Sequence, residues 1–355
     1  MLALFEQYPL LKEKLAHVPL GEFPTPVEKL EQLGKTLHTP GLFVKREDLS
    51  GKLYGGNKIR ALEFLFGDAI RGGYKQVMAL GFPASCQALA QAIYARELGL
   101  KSTAFLFPQI RSEQARRHLL TYQSIGADIR PTIPMILPFL FGYRLKHGRS
   151  PKLLEASTPI GVLGYVSAGL EVKQQVEQGL IPEPDLIYVS IGTMGTATGL
   201  MLGVEAAGLK SKIVAIDQGG KILGKKVVTF PNVKKLFHET NQLLRSNDQS
   251  FPKLEISESD FIIRFGYERG ANSLLNAPGA RALKQAELEN LQLDEMFSAN
   301  AFAALLDDGE SGLLQDKTVL WWNSYNSRDY SAQIASADYR QLPKYFHRYF
   351  ENGAQ

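Results

Sequence analysis

Cysteine is almost absent: Cys86 stands alone in 355 residues, so no intramolecular disulfide can form. That suits a reducing compartment. Long apolar runs are also missing. The greasiest stretch, "PMILPFLFGY", is broken by prolines and falls far short of the ~20 residues a membrane-spanning helix needs. The six histidines are scattered without metal-ligand spacing, which excludes a legible zinc motif. Basic and acidic residues number 40 and 36, a net charge of +4. They are interspersed, with no basic block of the kind that binds nucleic acid. The first residues, "MLALFEQYPLLKEKLAHVPLG", carry an acid early and no basic leader or small-residue cleavage site, so they do not read as a signal peptide. The expectation is a soluble cytoplasmic protein with no nucleic-acid or membrane partner.

What is present is a rhythm. "QVMALG" (76–81) reads as a strand, and "SCQALAQAIYARELGL" reads as a helix ending at Gly99. Strands "KSTAFLFP" and "ADIRPTI" flank a helix "SEQARRHLLTYQSIG". Beyond a proline-rich break at 132–150 come a helix near 164–178, a strand "DLIYVSIG", a helix "GTATGLMLGVEAAGL" and a strand "KIVAID". A helix over 278–290 and a strand "TVLWWNS" follow late in the chain. Alternating strands and helices predict an α/β protein with open, mostly parallel sheets covered by helical crossovers. The length favours two domains. The apolar 132–145 stretch is expected to pack in a core or between domains, with a flap over a ligand cleft as the alternative.

In such sheets ligands bind beyond the carboxyl ends of strands, so the turns there are where chemistry is expected. In "KLYGGNKIRALEFLF" the pair Gly55-Gly56 and Asn57-Lys58 run straight into an apolar helical pattern. Glycine supplies unusual backbone angles and Asn caps helices, so a plain turn explains the stretch. A lysine in the first turn, however, is set against the helix dipole. In "VSIGTMGTATGL" the residues Gly192, Thr193, Met194, Gly195 and Thr196 join a strand to a helix. Their backbone N–H groups and hydroxyls form a phosphate cradle that is neither a Walker loop nor G-x-G-x-x-G. "GFPASCQALA" places Ser85 at another helix start, as a cap or as a donor to a carboxylate; Asn323 and Ser324 end the last strand. A nucleophilic lysine, a phosphate turn without a Walker lysine and a hydroxyl-led helix start together suit pyridoxal 5'-phosphate.

At these residues the chain resembles the D-cysteine desulfhydrase / 1-aminocyclopropane-1-carboxylate deaminase family, fold type II enzymes related to tryptophan synthase β. The matching segments are "VPLGEFPTPVEKL", "FVKREDLSGKLYGGNKIRALEFL", "GFPASCQALAQAIYARELGL", "STPIGVLGYVSAGLEV" and "PDLIYVSIGTMGTATGLMLG", with weaker likeness through "LDEMFSANAFAALL" and "TVLWWNS". The resemblance implies a cofactor cleft between a large domain (1–50 with 159–355) and a small mobile domain (51–158), and a homodimer. It makes Lys58 the Schiff-base lysine that also moves protons at the substrate α-carbon, with Asn57 shaping its turn. It assigns 192–196 to the phosphate, Ser324 to the ring nitrogen, and Ser85 to the substrate carboxylate and to catalysis. Tyr267 is the nearest match to an active-site tyrosine.

Several positions depart from the family pattern. Cys86 replaces an asparagine that bonds the cofactor's 3'-oxygen, in Ser85-Cys86-Gln87. Phe297 replaces a tyrosine beside the substrate, Asn300 a lysine, and Asn323-Ser324-Tyr325-Asn326 a His-Thr-Gly-Gly. The implied activity is release of ammonia and a 2-oxo acid from a small amino acid, by β-elimination from a D-cysteine-like substrate or by opening of the aminocyclopropane ring. The alternative is a diverged relative that binds cofactor or metabolite without turnover. A third reading, a nucleotide-binding α/β enzyme, has no use for Lys58.

Overall fold

The structure, a computed structural model, describes residues 1–133, 151–219, 221–222, 225–268 and 275–351. Most of the apolar 132–145 stretch lies outside the described residues. The strands begin with β1 (Val27–Lys29), β2 (Gly41–Lys45), β3 (Gln76–Gly81) and β4 (Lys101–Leu106). Next come β5 (Asp128–Pro131), β6 (Lys152–Leu153), β7 (Leu186–Ile191) and β8 (Lys212–Asp217). The last are β9 (Lys221–Ile222), β10 (Lys225–Lys226), β11 (Phe261–Arg264) and β12 (Thr318–Trp322). The helices run α1 (Ala3–Gln7), α2 (Pro9–Lys14), α3 (Glu31–Thr36), α4 (Lys58–Arg71), α5 (Cys86–Glu97) and α6 (Glu113–Ser124). They continue α7 (Pro159–Glu177), α8 (Gly195–Ala206), α9 (Phe230–Asn247), α10 (Ala277–Glu287), α11 (Ser298–Glu310) and α12 (Ser331–Ile334).

Two compact units emerge: Met1–Phe64 with Ala156–Ser327, and Leu65–Glu155 with Arg328–Gln355. The boundaries expected from resemblance lay at 50 and 158, with the whole C-terminal part in the larger domain. In the structure residues 51–64 go with the first unit and 328–355 with the second. The glycine turn before α4 is bonded to 47–50 and 324–326. Tyr349, in turn, is bonded through its hydroxyl to Gln109 and through its carbonyl to Arg116.

In the first unit a six-stranded sheet has the order β1-β2-β12-β7-β8-β11. Its pairs are parallel except β1 with β2. Side chains alternate across it. Ile187, Val189, Ile191, Ile213, Leu320 and Trp322 join one buried cluster with α1, α7, α8 and α9. Tyr188, Val214, Ile216, Val319 and Trp321 join another with α3, α10 and α11. Both faces are covered, which is why these strands read as continuous apolar runs. Helix α7 starts at Pro159, earlier than periodicity suggested. Thr158 Oγ1 accepts from Gly161 N–H at 3.2 Å, and proline occupies the first helical position, where its missing N–H costs nothing.

The second unit holds a parallel four-stranded sheet, β5-β4-β3-β6. Val77, Ala79, Ala104 and Leu106 are buried in it, as are Leu89 of α5 and Leu119 of α6.

Candidate functional site

Three neighbouring parallel strands, β2, β12 and β7, end side by side: Trp322 is in register with Lys45, and Trp321 with Tyr188. Their carboxyl-end connections are therefore brought together. After β2 the chain leads to Gly55-Gly56-Asn57 and Lys58, the first residue of α4. Beyond β12 lie Asn323 and Ser324, and β7 continues into the Gly192–Thr196 turn.

The glycine turn is tightly enclosed. Gly56 has φ +91°, and a Cβ on Gly55 would lie 2.0 Å from the Asp48 carbonyl oxygen. Only glycine fits both positions. Asn57 is buried; its N–H donates to the Ser324 carbonyl at 3.2 Å and its Nδ2 to Thr196 Oγ1 at 3.0 Å. The Lys58 turn is thus bonded directly to the glycine–threonine turn. Among the described residues Asn57 Oδ1 has no hydrogen-bond partner. A buried amide oxygen in that state marks a place where a ligand or water belongs.

The glycine–threonine turn has the features of an anion cradle. Helices α5, α6, α7, α9 and α10 each start with a Ser, Thr or Asn side chain accepting a backbone N–H. Asp294 accepts three N–H groups at the start of α11. At α8 the cap is Met194, with no side-chain cap bond. First-turn N–H groups left uncapped at a helix's positive end suit a phosphate. Gly195 keeps the turn low, since a Cβ there would meet the Ala156 carbonyl oxygen at 2.6 Å. Thr196 is buried, Thr193 is exposed, and the Phe297 ring lies against Gly192. These groups fit a phosphate, and Lys58 at the adjoining turn fits an aldehyde.

Behind Lys58 is a buried charge network that the sequence reading missed. Arg60, two residues on, is 1% exposed and donates to Glu47 at 2.6 and 2.7 Å and to Glu171 at 3.0 and 3.1 Å. Lys45, fully buried at the end of β2, donates to Glu171 at 2.5 Å, Thr25 O at 2.7 Å and Gln175 Oε1 at 2.8 Å. Burial pushes the Lys45 ammonium below the usual lysine range, against the attraction of Glu171. Burial alone would raise the Glu171 carboxyl, but Arg60 and Lys45 bring it down to about 2. One signal was available. Glu171 is the lone charge in the run "GVLGYVSAGLEV", and a carboxylate in an apolar helix requires buried cations.

In the second unit Ser85 caps α5, its Oγ accepting from Ala88 N–H at 3.3 Å. As an acceptor there, it keeps its hydroxyl proton for donation. Cys86 Sγ accepts from Gln114 Nε2 at 3.7 Å. Both polar atoms of Gln87 are buried without a partner among the described residues. His118 of α6 is buried, and desolvation, aided by Arg117, lowers its pKa to about 4.

Tyr267 is held by a carboxylate. Its hydroxyl donates to Asp307 Oδ2 at 2.7 Å, and burial together with Asp307 raises its pKa to about 12. Asn326 accepts the Gly55 N–H, a contact the sequence did not reveal.

The family described as "Pyridoxal-phosphate dependent enzyme" matches residues 18–324. A Pyrococcus abyssi protein provisionally named a 1-aminocyclopropane-1-carboxylate deaminase is 28% identical over 87% of this chain and 91% of its own. The D-cysteine desulfhydrase of Klebsiella pneumoniae is 28% identical, covering 80% and 85%. Among solved structures, an ACC deaminase homologue superposes with a TM-score of 0.74 at 25% identity, covering 92% of this chain and 98% of its own. Threonine deaminase isoform 2 of Solanum lycopersicum shares the fold, with a TM-score of 0.59 at 13% identity and coverage of 94% and 86%. The expected fold type II architecture is confirmed by these neighbours.

Proposed function

The chain belongs to the pyridoxal-phosphate dependent enzyme family, and from that premise we propose that it is a lyase or deaminase releasing ammonia and a 2-oxo acid from a small amino acid. The observation that carries the reading is the Asn57–Thr196 hydrogen bond, which ties the lysine turn to the uncapped glycine–threonine turn. One lysine and one phosphate cradle on neighbouring turns meet the two attachments this cofactor needs. The D-cysteine desulfhydrase and ACC deaminase names of the relatives support the substrate class.

When bound, pyridoxal phosphate supplies an electron-accepting ring conjugated to the amino nitrogen, which makes bonds at the α-carbon labile. In the proposed assignment Lys58 would hold the cofactor's aldehyde carbon, and its amine, once displaced from that carbon by the substrate amine, would accept or return a proton at the substrate α-carbon. The N–H groups of Gly195, Thr196 and Ala197, with the Thr193 and Thr196 hydroxyls, bind the phosphate. Thr196 Oγ1 accepts from Asn57, so its own proton remains for donation. Ser324 would serve the ring nitrogen, where a neutral hydroxyl would favour the unprotonated form. Ser85 donates to the substrate carboxylate, with Gln87 and Cys86 at the same helix start. Phe297, beside Gly192, gives the substrate an apolar wall where a tyrosine would offer a hydroxyl. Tyr267 is left out of this set because Asp307 holds its hydroxyl.

The test is ammonia and 2-oxo acid release across D- and L-amino acids with the cofactor supplied. Release from a small substrate, abolished in Lys58→Ala, supports the proposal. No release from any of them, with cofactor retained, would favour a binding protein without turnover.

A further inference from the structure

Three successive N–H groups precede Lys58, and each donates to an acceptor outside the turn. Gly55 N–H donates to Asn326 Oδ1 at 2.6 Å, Gly56 N–H to the Glu47 carbonyl at 2.9 Å, and Asn57 N–H to the Ser324 carbonyl at 3.2 Å. The latter two acceptors are main-chain oxygens, present whatever the sequence. The first is a side chain, 7% exposed, in the segment after β12. Ser327 reinforces that segment by donating to the Asp48 carbonyl through both its N–H and its Oγ, at 3.3 and 2.9 Å. The glycines cannot brace the turn themselves, because they have no side chain and the widest backbone freedom.

We propose that Asn326 is a positioning residue for Lys58: its amide oxygen fixes the glycine turn and thereby the direction in which the lysine leaves α4. This rests on the proposed role of Lys58. Without the acceptor, Gly55 N–H is buried and unpaired, a state backbones avoid by moving. The turn then opens, and the reactive amine samples positions it does not otherwise reach. Misplacement of a reacting group by about 1 Å is enough to slow its chemistry by roughly 100-fold.

The experiment compares full-length Asn326→Leu and Asn326→Asp with wild type. Leucine keeps the volume and removes the acceptor; aspartate keeps both. Two readouts are used: hydrogen–deuterium exchange of the peptide containing Gly55–Asn57, and the rate at which pyridoxal phosphate becomes fixed to Lys58, followed by borohydride reduction and peptide mapping. The expected result for Asn326→Leu is faster exchange confined to that peptide and capture slowed about 10- to 100-fold, with Asn326→Asp within about 3-fold of wild type on the same scale. If Asn326→Leu does not fold, Asn326→Gly removes the acceptor without a new side chain to place. Wild-type exchange and capture in the variant lacking the acceptor would overturn the inference, as would Asn326→Asp behaving like Asn326→Leu. If wild type itself is not trapped at Lys58, the functional reading fails and the inference with it. If wild type is trapped and Asn326→Leu is trapped equally fast, the inference alone fails.

Discussion

Replacing Glu171 by glutamine would leave two buried cations, Lys45 and Arg60, facing the single carboxylate of Glu47. Removing one partner of a buried ion pair typically costs about 3–5 kcal/mol. A second route gives a similar figure: a carboxyl held at about 2 instead of its ordinary 4.5 corresponds to about 3 kcal/mol. At about 2–4 °C per kcal/mol for a unit of this size, the variant is expected to melt roughly 6–20 °C lower by calorimetry. The folded-state pKa is depressed, so the stabilisation is present above about pH 4.5 and is lost as pH falls towards 2. The gap between wild type and Glu171→Gln is therefore flat at neutral pH and closes below about pH 4.5. Adding Lys45→Met restores the charge balance, and the double variant should melt above Glu171→Gln alone, with a coupling of about 1–3 kcal/mol. A fall of less than about 2 °C in the single variant, or a double variant less stable than either single one, would refute the reasoning.

His118 is neutral when folded, with its pKa lowered from 6.5 to about 4. Stability should therefore decline by up to roughly 3 kcal/mol as pH falls from 6.5 to 4; in His118→Phe the chemical-denaturation midpoint should lose that slope. Tyr267→Phe removes a bond to Asp307, a carboxylate that Arg281 also holds. It should cost about 1 kcal/mol in stability and change turnover by less than about 2-fold, whereas a larger loss of kcat would restore Tyr267 to the catalytic set.

The strands of the sheets were legible because both faces are buried: "QVMALG" and "KIVAID" coincide with β3 and β8. Short apolar runs bounded by glycine, proline and charges leave little choice of period. The glycine–threonine and glycine–lysine turns were legible too, since glycine at a strand end signals special backbone geometry. Tyr267 was matched by sequence likeness, but its hydroxyl is claimed by Asp307, a partner fixed only when α11 packs on the sheet. The charge network failed to show for the same reason. Lys45, Glu47 and Arg60 look like surface residues in "VKREDL…NKIR", and Glu171 is more than 100 positions away. The bond made by Asn326 was not legible, because nothing local records that its amide oxygen closes onto a glycine 271 residues earlier.

The central claim is that Lys58 carries the cofactor, and the most direct measurement is borohydride reduction of the protein loaded with pyridoxal phosphate, followed by peptide mapping. The account predicts a phosphopyridoxyl adduct on the peptide containing "GGNKIR", on Lys58 alone, and none in Lys58→Ala. An adduct on another lysine, or no adduct with the cofactor in excess, would contradict it.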